Sequence, residues 1–152
     1  MKRHLVTAAL VSMAASAAWA EPSLVGKWIS DRDASASFNE KHVQMQAKTA
    51  AFHRDSMGRL VVTFAAETMS YELPNFTTKI EGKQHSIVGF SETHPYTVVA
   101  TTPHSVAIRT VEPVSHAPTI VVYNFVDNDH MWIYVSTLGS HIREYFRRVE
   151  PK

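Results

Sequence analysis

Arg109 is the residue whose chemistry stands out. It lies in the run Ser105 to Val111, where it shares one strand face with Ala107 and Val111, opposite Val106 and Ile108. Turned inward, a guanidinium in an apolar setting needs an anion or several hydrogen-bond acceptors, and Tyr71, Tyr96, Tyr123 and Tyr134 are placed to help orient a carboxylate beside it. Turned outward, it is an ordinary solvated arginine. The histidines are the second chemical resource. Of nine, eight follow the leader described below: His42, His53, His85, His94, His104, His116, His130 and His141. Imidazole binds zinc and copper, yet none of these has a His or Cys neighbour at local ligand spacing and the chain has no cysteine, so no resident metal or other cofactor is expected. Histidines gathering at one barrel mouth from turns and strand ends are the alternative. Asp127, Asn128 and Asp129 lack the Gly and distal Glu of a calcium loop and read as a turn. No Gly-x-Ser-x-Gly elbow is present and no triad stands out, which leans away from an enzyme.

These side chains are to be positioned mainly by strands. From Met57-Gly58 onward the apolar period is two: Leu60, Val62 and Phe64, then Met69, Tyr71 and Leu73. Further strands are read over Phe76 to Ile80, Gln84 to Phe90, Tyr96 to Thr101, Ser105 to Val111 and Thr119 to Val126. The chain closes on a hairpin of His130 to Thr137 with His141 to Val149, joined by a turn at Leu138-Gly139-Ser140. Between the first strand, Leu24 to Ile29, and this β region, Ser30 and Asp33 have capping-box spacing, and Phe38, His42, Met45, Thr49 and Phe52 recur at three and four. One helix over 33–52 is therefore expected, its stripe facing the barrel or capping its mouth.

The first twenty residues have the parts of a secretory leader: Lys2-Arg3-His4, an apolar run to Ala17, and Ala18-Trp19-Ala20 as the cleavage site. The apolar run is short of the ~20 residues needed to span a bilayer. Cleavage after Ala20 leaves 132 of the 152 residues, enough for one domain over 21–152, periplasmic or secreted. The remainder carries thirteen basic residues against fourteen acidic ones, a balance that excludes nucleic acid as an expected partner.

First and last segments are expected to meet. Gly26-Lys27-Trp28 opens the first strand, and the last carries Arg143, Arg147 and Arg148, one of which is to lie over the Trp28 ring. This pairing resembles the signature of lipocalins and the broader calycins, in which an arginine packs across the tryptophan at the closed end of the barrel. The ending from Arg143 to Arg148 is similar to the ends of small bacterial lipocalin-like proteins. A helix after the first strand looks closer to the lidded barrels of intracellular lipid-binding proteins, which use internal arginine and tyrosine for a fatty-acid carboxylate. The resemblance implies a mainly β protein: a single antiparallel up-and-down barrel of about eight or nine strands with one helix, holding a small hydrophobic or amphipathic molecule. A non-ligand-binding interaction module with a filled interior is the remaining alternative.

Overall fold

The computed structural model describes residues 21–113, 115–135 and 141–149; the leader read over 1–20 and the turn read over 138–140 lie outside them. The first strand, β1 (Gly26–Asp31), lies inside the sheet, next to its central strand. It pairs on one side with β2 (Val61–Phe64) and on the other with the last strand, β11 (Arg143–Val149), so Trp28 stands opposite both Val62 and Arg148. Outward from β2 come β3 (Thr68–Leu73) and β6 (Phe90–Pro95). Outward from β11 come β10 (His130–Tyr134), β9 (Pro118–Phe125), β8 (Ser105–Val111) and β7 (Thr97–Thr102). All pairs are antiparallel, and the nine strands curl into a nearly closed barrel. The two edge strands, β6 and β7, are consecutive in the chain. At their junction Tyr96 N–H donates to Glu67 O at 3.0 Å and Thr110 Oγ1 donates to Pro95 O at 3.0 Å, drawing the edges together.

Period-two patterning places one set of side chains inside: Trp28, Val62, Phe64, Met69, Val106, Ile108, Tyr123, Phe125, Met131 and Phe146 are buried. At the closed end the aromatic rings meet edge to face, Phe64 with Tyr96 and Tyr123 at 5.6 and 5.2 Å and Trp28 with Phe125 at 6.0 Å. The run from Phe76 to Ile87 does not join the barrel. Its strands β4 (Phe76–Ile80) and β5 (Lys83–Ile87) form a separate hairpin.

The expected single helix is two, α1 (Arg32–His42) and α2 (Ala47–Ser56), with extended backbone at Val43 and Gln46 between them. Asp31, not Ser30, caps α1, its carboxylate accepting from Ala34 N–H at 3.0 Å. The break has a tertiary cause. β1 stops pairing with β11 at Asp31↔Tyr145, and α1 takes over with side chains four residues apart on one face. Ser35 Oγ accepts from Tyr145 N–H at 2.9 Å, and Asn39 holds both backbone groups of Arg143, accepting from its N–H at 2.9 Å and donating to its carbonyl at 2.8 Å. The ~6 Å rise over four helical residues matches the ~6.8 Å between alternate strand residues. α2 instead packs on the β4–β5 hairpin, with Phe52 6.2 Å from Phe76. The Phe38, Met45 and Phe52 stripe is thus divided among three neighbours and forms no lid.

Candidate functional site

Where the large rings end, the barrel interior leaves a cavity of about 150 Å³. Leu60, Val62, Phe90, Val121, Ile133 and Phe146 give it apolar walls, and Glu144, Tyr71 and Tyr123 reach it from three different strands. Glu144 lies inside because of strand parity: Arg143, Tyr145 and Arg147 take the outer face of β11, while Glu144, Phe146 and Arg148 take the inner one. Its Oε1 accepts from Ser30 Oγ at 2.6 Å, and Ser30 Oγ in turn accepts from Gly58 N–H at 2.8 Å. Burial pushes the Glu144 carboxyl up to about 7, against the smaller pull of the Ser30 hydrogen bond. Near neutral pH this site therefore holds a carboxyl poised between its two forms.

The two tyrosines stay neutral. Burial pushes Tyr71 up to about 12 and Tyr123 well above its ordinary value, with hydrogen bonding between the two hydroxyls as a further influence. Tyr71 also donates weakly to Met69 Sδ at 3.6 Å. The interior chemistry is thus two carboxyls, Glu144 and Glu112, and two phenols in an apolar shell.

Arg109 does not belong to this site. Its neighbours Ile108 and Thr110 are buried and Arg109 is exposed on the outer face, across from Thr97 and Ile120. Parity decides it, because the inner positions of β8 go to Val106, Ile108 and Thr110 and leave Arg109 in water. Of the four tyrosines, the cavity brings together Tyr71 and Tyr123. Tyr96 is buried at the other end, its hydroxyl donating to Ala65 O at 2.7 Å. Tyr134 borders the cavity but is 47% exposed, and its hydroxyl accepts from Arg143 Nη2 at 3.3 Å.

The arginine on Trp28 is Arg148, with Cζ 4.2 Å from the ring centre. Its guanidinium also donates to Val25 O at 2.7 Å, Ser23 O at 2.9 Å and Asn128 O at 3.1 Å, tying the chain's entrance to its last strand. Gly26 makes room: a Cβ there would stand 2.7 Å from Arg148 Nη1, at a φ of +131°. Arg143 is held elsewhere, between Trp132 and Phe38 at 3.8 and 4.1 Å from the ring centres, and Arg147 is exposed.

Two of the histidines meet. His94 and His116 both approach Glu92 Oε2, at 2.8 and 3.3 Å, linking β6 to the loop between β8 and β9, and the His94 hydrogen bond is the main reason that the Glu92 carboxyl lies below its ordinary range. His130 pairs with Asp127 at 2.9 Å in the turn, where Asp127 also accepts from Asp129 N–H at 2.8 Å. Among the described residues no group of three or more His, Cys, Asp or Glu side chains is arranged to hold a metal ion.

Glu144 was missed because the Arg143 to Arg148 run reads as a basic segment. The signal was there in its alternation: fixing Phe146 inside puts Glu144 and Arg148 on the same face.

Comparison with protein families, curated proteins and solved structures finds no match for this chain. Among the described residues no helix is long and apolar enough to cross a membrane.

Proposed function

We propose that this is an exported, lipocalin-like binding protein whose barrel holds one small apolar molecule bearing a hydrogen-bond donor, such as an alcohol or amine. One observation carries the reading: the buried Glu144 carboxyl borders an apolar cavity, with the Ser30 hydroxyl behind it. A pocket with apolar walls and few placed polar groups is the usual form of a small-molecule site. A volume of about 150 Å³ suits a single ring, the size at which a dry apolar cavity takes a benzene-like guest. The long-chain carboxylate implied by the family resemblance is disfavoured twice, since no arginine faces the cavity and an ionised Glu144 repels an anion.

An NMR titration with benzyl alcohol, benzylamine and benzoate tests this. Saturable one-to-one shifts at Val62, Val121 and Ile133 are expected with the first two, and weak or no binding with benzoate. Preferred binding of benzoate, or no saturable shift with any of the three, overturns the proposal. In the latter case the exposed Ile120 and Val122 on the outer barrel face favour a protein-interaction role. Export is tested separately by the intact mass of periplasmic material, which is expected to begin at Glu21.

A further inference from the structure

A second cavity, of about 110 Å³, lies between the two helices and apart from the barrel interior. His53, Met45 and Met57 line it together with Asn39. His53 is only 4% exposed, yet its Nε2 is buried with no hydrogen-bond partner, an arrangement that destabilises the fold unless something fills it. The sequence offers His53 and Met57 at a spacing of four, one turn apart at the end of α2, while Met45 comes from the extended link before that helix.

We infer that this pocket is a site for copper(I), with His53 Nε2 and the thioether sulfurs of Met45 and Met57 as its ligands. Thioethers are soft donors that select copper(I) over zinc or the hard divalent ions, and imidazole ligates in its neutral form. Burial lowers the proton affinity of His53, so it is neutral at physiological pH. The neighbouring cations are already engaged: Arg32 Nε donates to Met57 O at 3.1 Å, and Arg54 lies 3.8 Å from Asp55 while Glu40 also borders the pocket. A monovalent ion therefore meets little net repulsion. Met57 Sδ is 3.9 Å from the Asn39 amide, a weak contact that a metal readily replaces.

The test is an anaerobic titration of the purified exported protein with copper(I) held by the chromophoric chelator bicinchoninate. One equivalent is expected to pass to the protein, with X-ray absorption showing mixed nitrogen and sulfur ligation. Met45→Leu and Met57→Leu, close in volume to the parent residues, should each weaken retention about tenfold or more. His53→Gln should abolish it, and the methionine variants keep the test decisive should His53→Gln not fold. Failure of copper(I) to leave the chelator overturns the inference, as does a Met45→Leu/Met57→Leu double variant that retains copper like the parent. Copper binding does not depend on Glu144, so Glu144→Gln should leave it unchanged.

Discussion

Ser30 Oγ accepts the Gly58 N–H at 2.8 Å and donates to Glu144 Oε1 at 2.6 Å, so a backbone amide, a hydroxyl and a carboxyl form one line from the start of β2's approach to the barrel cavity. A hydroxyl that is already accepting is a stronger donor, which fixes the Glu144 rotamer. It does not outweigh burial, and the carboxyl remains raised to about 7.

The raised Glu144 makes stability fall with pH. Because the folded protein keeps the proton that the unfolded chain releases near 4.5, its contribution is complete below that pH and is lost as pH rises through about 7. Glu144→Gln removes the titration. Urea melts across this range should show the parent losing up to about 3 kcal/mol relative to the variant. Parallel pH profiles for the two proteins would place the carboxyl in water instead.

Closure rests on Trp28 and Arg148. Trp28→Ala should cost about 3–5 kcal/mol, because a fully buried ring leaves a cavity. Arg148→Met should lose the cation–π contact, worth about 0.5–2 kcal/mol, together with its hold on the Ser23 and Val25 carbonyls. Arg147→Met, on the exposed face, should stay within about 0.5 kcal/mol of the parent in the same chemical melts.

Asn39→Leu should release α1 from the barrel. It leaves the Arg143 N–H and carbonyl without their partner, at about 1–3 kcal/mol for each buried group. Hydrogen exchange is the sensitive readout: the Arg143 and Tyr145 amides should lose protection while that of Phe146, which faces β10 opposite Met131, keeps it.

Arg109→Met should change binding in the barrel by less than about twofold, since the side chain faces solvent on the far side of β8. The ring-compound titration measures it directly. A large loss would require Arg109 to reach the cavity.

Much of the barrel was legible because alternation is a local property. Val62, Phe64, Met69 and Tyr71 announce their strands and their buried face, and Gly26, Trp28 and an arginine of the last strand announce closure. The helix break was not legible, since α1 buries Ser35 and Asn39 against β11 and an apolar stripe says nothing of polar docking. The site was half legible. Tyr71 and Tyr123 follow from parity, whereas Arg109 drew attention by its charge although Ile108 beside it has the better claim to the interior. Glu144 needed the same parity argument applied to a run whose charges concealed it.

On the proposed function, Glu144 titrates inside the barrel and meets the ligand there. Carboxyl-carbon NMR of Glu144, followed through pH with and without benzylamine, measures both parts in one experiment. The predicted result is a midpoint near 7 in the free protein, moving down when the ammonium group is bound beside it. A midpoint near the ordinary 4.5, or one that benzylamine leaves in place while it binds, would contradict the account.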